Sequence, residues 1–396
     1  MKKEDLIKSM VVDKSPLVKA GFNPYYQPVR SGLGRNINVN GKSLISLGTN
    51  DYLGIANNEE IKKEALRALR KFGVSMCGTP IVVGQTAINR KLETEIASFL
   101  KQEDALIFPS CYQCNMGIFG LLTTGEDVII ADREIHSSLL NGIGLSKASF
   151  KIFSHNNLDK LEKALARYSN CRMKFIVVEG LYSTNGDVPP LDGMMKLAEK
   201  YDAFIIVDDA HGVGVLGREG RGVLEVFDAF KEIDLVTGSL GKGVGAFGGF
   251  LAGGARLIDY FRYNSPQYFY STALPPAIAA ASIISLRYIK EHPEIRERIN
   301  SYARKLYQKL ETLGFRLTKS TTPVVCVLFE TAEDAILATK MLYEKGIYTV
   351  VFVPPSVAKG ASRIRLTLNA NLQSEDIDFV ISVFSDIKKR KPQWVN

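Results

Sequence analysis

The chain is predicted to be α/β, with a mainly parallel sheet in a large domain and a smaller α+β domain towards its C-terminal end. Three observations predict this. Short apolar runs alternate with amphipathic helical stretches from about residue 45 onward, the pattern of a parallel sheet covered by helices. Most of those runs end on polar residues, which is where open sheets of this kind hold their ligands. Near Pro276 the alternation gives way to long helices, and 396 residues suffice for two packed cores.

Residues 1–44 read as an N-terminal arm. It comprises a helix, a loop through Asn23-Pro24-Tyr25-Tyr26, and a short hairpin turning at Asn40-Gly41, a pair suited to the positive φ angles of a tight hairpin turn. Residues 45–276 form the large domain. Its expected strands are Ala105 to Pro109, Asp127 to Ala131, Phe175 to Glu179, Phe204 to Asp208, Leu235 to Ser239 and Gly248 to Ala252. These runs are too continuously apolar for a strand with one wet face. Polar residues gather where they end, at Ser110, Asp132, Glu179, Asp208 and Ser239. Residues 277–396 form the smaller domain, led by a helical stretch from Ala277 to Leu313 that Pro293 breaks. Strands at Val324 to Phe329, Ile347 to Phe352 and Arg363 to Leu368 follow, with a closing helix from Ser374.

Composition excludes several classes. No apolar run is long enough to span a bilayer, and Met1 to Asp5 lack the apolar core of a signal peptide, so a cytoplasmic protein is expected. Five scattered cysteines suit a reducing compartment, and Cys111-x-x-Cys114 has no second pair to complete a zinc site. No metal is expected. The net charge of +8 is spread along the chain and suits phosphorylated small molecules such as coenzyme A. No basic block interleaved with aromatics suggests nucleic acid.

The sharpest functional signal is Lys242, in Thr237-Gly238-Ser239-Leu240-Gly241-Lys242-Gly243-Val244-Gly245, downstream of the acidic strand end Val207-Asp208-Asp209-Ala210-His211. A lysine flanked by glycines can be approached by a flat cofactor, and once desolvated its amine can form an imine with an aldehyde. A carboxylate such as Asp208, at the end of a buried strand, can keep a pyridine nitrogen protonated. Together they point to pyridoxal phosphate (PLP). Two rival readings are weaker. A nucleotide-binding loop needs Ser or Thr after its lysine, and here Gly243 follows. Gly212 to Gly217 match G-x-G-x-x-G, but Asp208 to His211 separate them from the strand and Arg218 to Gly222 continue as loop where a helix is required.

Other residues join the lysine. A helix through Met116 to Leu122 is expected after Ser110-Cys111-Tyr112-Gln113-Cys114-Asn115, and its free amides with the Ser110 hydroxyl suit a phosphate. His136 and His211 each follow a strand on the same sheet edge, where one imidazole could stack on a pyridine ring and the other bond its phenolic oxygen. His155 is read as a helix cap.

The order Asn50-Asp51-Tyr52-Leu53-Gly54, Asp132 to His136, Glu179-Gly180-Leu181-Tyr182-Ser183, Asp208 to Gly212 and Thr237 to Gly249 resembles the α-oxoamine synthases, fold-type I PLP-dependent transferases. The likeness runs from about Asn50 to Asp378. It implies that Lys242 carries the cofactor as an imine, that Asp208 pairs with the pyridine nitrogen and that His136 stacks on the ring. Ser183 and His211 match contacts to the phenolic oxygen, and Cys111, Tyr112 and Ser239 match phosphate contacts. Ser271 and Thr272 match a segment lent by the partner subunit, which implies a homodimer with shared active sites. Arg365 matches the arginine that binds the amino-acid carboxylate, with Asn50 also on the substrate side. Arg363 lies on the same face of a regular strand, so alternation does not separate the two.

The activity so implied is that of an acyltransferase, condensing glycine, alanine or serine with an acyl-CoA to give an aminoketone, usually with decarboxylation. The alternative is an aminotransferase or lyase that needs no coenzyme A. Two departures from the family pattern stand out. Pro80 occupies a position where many relatives carry arginine, which disfavours an acidic acyl group, and Leu372 replaces a frequent histidine.

Overall fold

The computed structural model describes residues 2–395. Its central sheet has seven strands in the order Asp104–Phe108, Gly249–Gly253, Leu235–Ser239, Ala203–Asp208, Lys174–Glu179, Val128–Asp132 and Ser149–Phe153. Gly249–Gly253 runs antiparallel to both neighbours, and the remaining pairs are parallel. Parallel register carries Asp132, Glu179, Asp208 and Ser239 to one edge.

Six strands follow the apolar runs of the sequence. The seventh, Ser149–Phe153, lacks such a signal because Ser149, Lys151 and Ile152 are exposed and Phe153 alone is buried. It lies at the sheet margin and pairs only with Val128–Asp132, so it needs no continuous apolar run.

Alternate strand residues feed opposite faces. Ile176, Val178, Ile205 and Val207 pack on one side, while Phe175, Val177 and Ile206 pack on the other with Leu139, Ile143 and Phe261. The first face is covered by Glu59–Phe72, Ala87–Leu100 and Pro276–Glu291. The last helix corrects the sequence division at residue 276. Its Ala279, Ile283, Leu286 and Ile289 enter the core of the large sheet. The chain changes core within Pro293–Thr312, where Ile295 and Ile299 still pack in the first cluster and Ala303, Leu306 and Leu310 enter a second.

That second cluster packs around an antiparallel sheet of Val324–Phe329, Ser362–Thr367 and Val350–Phe352. The single strand expected from Ile347 to Phe352 is split. Ile347–Tyr348 pairs with Lys42–Ser46, whose hairpin partner is Asn36–Val39. Asn40 and Gly41 make the turn with φ of 51° and 83°. The arm is thus stitched into the C-terminal unit, and Ser15–Ala20 packs on Ala332–Glu344.

Candidate active site

A cavity of about 340 Å³ opens at the edge where the parallel strands end. Ser110, Cys111, Tyr112, His136, Asp208, His211, Ser239 and Lys242 all line it. The structure thus gathers these eight sequence candidates around one space. Asn50, Ser183, Arg365, Ser271 and Thr272 lie outside that lining.

Asp208 is 4% exposed, and the partners that hold it were invisible in the sequence. Its Oδ1 accepts Ala210 N at 3.0 Å, and its Oδ2 accepts Asn115 Nδ2 at 2.6 Å. Asn115 also donates to Ser138 Oγ at 2.9 Å, and that hydroxyl lies 2.7 Å from His136 Nδ1. Ser138 N also donates to Nδ1, so this nitrogen accepts and the ring hydrogen sits on Nε2. Burial pushes the His136 imidazole below its ordinary range, with Lys242 adding to the effect against Asp208. The ring is therefore neutral, and Tyr112 meets it edge on at 6.2 Å.

The helix expected from Met116 begins earlier, at Cys111, because Ser110 caps it by accepting Gln113 N at 3.1 Å. This one-turn shift places Cys111 and Asn115 on the same helical face, which is why both reach Asp208. Burial, with the charge of Asp208, pushes the Cys111 thiol well up, so it lines the cavity as a neutral group. Cys114 is buried in the apolar core beside the sheet.

Lys242 follows Leu235–Ser239 in a turn closed by Gly245 N to Lys242 O at 2.8 Å. Its amine has no hydrogen-bond or ion-pair partner among the described residues. Burial lowers its pKa against the pull of Asp208, Cys111 and Glu179. The flanking glycines have different reasons. Gly241 lines the cavity, whereas a side chain at Gly243 would strike Val213 O in the neighbouring glycine-rich loop.

His211 is 7% exposed, with Nδ1 2.8 Å from the hydroxyl of the wholly buried Tyr52. Tyr52 has no other partner, and burial raises its pKa to about 12, so it donates and leaves the ring hydrogen on Nε2. Burial also holds His211 well below its ordinary range. Asp209 serves the fold: its Oδ2 accepts Val223 N at 2.7 Å, and side chains at Gly180, Gly212 or Gly222 would collide with it. Glu179 lines the cavity, and burial, reinforced by Asp208, raises its carboxyl well above the usual range.

The two arginines left equivalent by alternation differ in what they have to spare. Arg363 donates through Nε to Ala361 O at 3.0 Å and through Nη1 to Thr184 O at 2.9 Å and to Asn185 Oδ1. Arg365 reaches Asn50 Oδ1 at 3.1 Å and Ser183 O at 3.3 Å, lies over Phe352, and keeps a buried Nε with no partner. Ser271 and Thr272 are not brought to this cavity by their own chain. His155 corrects another expectation. Asn157 caps Leu158–Arg167, and His155 bridges Asp132 and Asp187 at 2.8 Å each.

The donor set fits PLP. An unpartnered lysine amine faces the same space as an anchored aspartate, a short helix start with Ser110, and the Ser239 hydroxyl. Thr237 Oγ1, two residues before Ser239 on the same strand, is buried without a partner. Fold and site thus define a fold-type I PLP enzyme.

Comparison with known proteins narrows the class. The aminotransferase class I and II model matches residues 42–384. The 8-amino-7-oxononanoate synthase of Petrotoga mobilis is 35% identical over 387 residues, covering 97% of this chain and 98% of that protein. The 8-amino-7-oxononanoate synthase 1 of Bacillus velezensis is 36% identical over 379 residues, or 95% and 97% of the two. A serine palmitoyltransferase of S. paucimobilis, solved with PLP and myriocin, superposes with a TM-score of 0.94 at 28% identity, covering 98% of this chain and 99% of that one. The chain belongs to the class I and II aminotransferase family, in its α-oxoamine synthase branch.

Proposed function

We propose that the protein condenses a small amino acid, glycine, alanine or serine, with an acyl-CoA, releasing coenzyme A and, after loss of CO₂, an aminoketone. The observation that carries this reading is the partnerless Lys242 amine beside Asp208, with the spare Nε of Arg365 on the substrate side. PLP bound here supplies an electron sink for the pair left on the α-carbon.

The chain's residues divide the remaining work. Lys242 anchors the cofactor and, once freed, takes the α-proton; its depressed pKa favours the neutral amine that accepts one. Asp208 holds the pyridine nitrogen protonated, kept in aim by Asn115. His136 presents a neutral flat ring for stacking, and His211 offers Nε2–H to the phenolic oxygen with Ser183. Ser110, Cys111, Tyr112 and Ser239 would hold the phosphate. Arg365, steadied by Asn50, grips the substrate carboxylate with a planar fork.

The acyl group we infer to be uncharged. Pro80 opens the turn Pro80–Gly84, in which Ile81, Val82 and Val83 are exposed and no guanidinium is offered to an acid. We further infer a cytoplasmic homodimer with shared sites. Ser271 and Thr272 are unused by their own cavity, and Ala273 N ties their segment to Gly78 O at 3.0 Å, beside this exposed apolar turn. A panel of amino acids against acyl-CoAs of graded chain length, followed by thiol release, tests the activity. Amino transfer to a 2-oxo acid with no thiol released from any pair would make the protein an aminotransferase.

A further inference from the structure

His155 lies outside the cavity, yet both walls of the site meet at its ring. Its Nδ1 is 2.8 Å from Asp132 Oδ1 and its Nε2 is 2.8 Å from Asp187 Oδ2. Ionised carboxylates only accept hydrogen bonds, so both ring nitrogens carry hydrogen and the imidazole is a cation. Burial opposes that charge, but the bonds to Asp132 and Asp187 overcome it and raise the pKa to about 10. The buried Tyr182 ring stands edge on to it at 4.5 Å.

Each carboxylate belongs to a different wall. Asp132 ends its strand and accepts Glu134 N and Asn156 N, both at 2.8 Å, which fixes the turn that delivers His136. Asp187 closes the turn from Tyr182, where Tyr182 N donates to Asp187 O at 3.0 Å and Gly186 N to Tyr182 O at 2.7 Å. That turn presents Ser183 O to Arg365 and Thr184 O to Arg363, and Thr322 Oγ1 holds Gly186 O at 2.8 Å. One imidazole therefore joins the wall behind His136 to the wall that meets the C-terminal unit.

We propose that His155 is a positioning residue for the reaction, bridging Asp132 and Asp187 so that the turn bearing His136 and the turn bearing Ser183 keep a fixed separation. This rests on the roles given above to His136 and Arg365. A mostly buried cation with a charge-assisted bond at each nitrogen restricts both partners in direction as well as distance, unlike an exposed pair, which is weak and mobile.

Holoenzymes of His155→Ala, Asp187→Asn and the double variant test it. The readouts are thermal midpoint, the visible circular dichroism of bound PLP, and the amino-acid Kd from the spectral change on binding. The expected result is a diminished dichroic band and an amino-acid Kd raised about tenfold in each single variant, as small misplacements of reacting groups produce. The double variant should be no worse than either single one, and added imidazole should restore His155→Ala. A lowered midpoint with wild-type dichroism and Kd would reduce His155 to a fold-stabilising bridge and overturn the proposal. Should His155→Ala fail to fold, Asp187→Asn decides by the same criteria. Dichroism and amino-acid binding need no acyl donor, so failure of the acyl-CoA reading would appear separately, in the thiol-release panel.

Discussion

At opposite ends of the central sheet lie two cavities of very different size. The larger, about 910 Å³, opens where the parallel strands begin, beside Phe204, Asp234 and Gly254. Several of its polar groups are spent on the fold. Asp234 Oδ2 accepts Ile205 N at 2.7 Å, Glu103 Oε2 accepts Ala255 N at 2.7 Å, and Lys101 lies 4.2 Å above the Phe230 ring. The smaller cavity, where the strands end, keeps a free lysine amine and perturbed His136, His211 and Glu179. Volume records where packing stopped; unspent, mutually perturbed polar groups mark chemistry.

The sharpest way to break this contrast is Lys242→Ala. Borohydride should no longer fix PLP covalently, and turnover should vanish; covalent trapping in this variant would place the cofactor on another lysine. Next in size is Asp208→Asn, which leaves the proposed phosphate residues intact but removes the charge proposed to face the pyridine nitrogen. The kcat should fall by about a hundredfold or more, as for loss of an electrostatic group aimed at developing charge. Near-normal turnover would remove Asp208 from that role.

Arg365→Lys keeps the charge and loses the fork, so amino-acid binding should weaken by roughly 1–3 kcal/mol with little change in acyl-CoA affinity. Arg363 already spends Nε and Nη1 on Ala361, Thr184 and Asn185, so Arg363→Lys should leave amino-acid binding closer to wild type. The reverse pattern in titrations would assign the carboxylate to Arg363.

A smaller effect is expected from alkaline pH. The folded pKa of His155 is raised to about 10 from an ordinary 6.5, so its contribution to stability is full below about 6.5 and is lost as pH rises through about 10. The difference in thermal midpoint between wild type and His155→Gln should shrink over that window. A constant difference would mean that the imidazolium charge adds nothing. At the bottom of the scale, Lys101→Ala and Arg256→Ala in the larger cavity should leave kcat/KM unchanged; a marked loss would show that size was the better guide.

Much of this was legible in the sequence because it depends on neighbours along the chain. The hairpin at Asn40-Gly41, the break at Pro293, the apolar strands ending at Asp208 and Ser239, and the glycine-flanked Lys242 each follow from local sterics or periodicity. Other features were hidden. Ser149–Phe153 is a strand only because Val128–Asp132 offers it an edge, and Pro276–Glu291 chooses its core by packing against Glu59–Phe72.

The site divides along the same line. The sequence by itself nominated the residues for the chemistry, Lys242, Asp208, His136, His211 and an arginine at 363 or 365, because reactive side chains and the glycines around them are written locally. Only the tertiary structure decided their partners. Tyr52 meets His211 across 159 residues, Asn115 meets Asp208 across 93, and Asn50 meets Arg365 across 315. A hydrogen bond or a pKa depends on distance, burial and which lone pairs are already taken. None of these exists until strands far apart in sequence lie side by side.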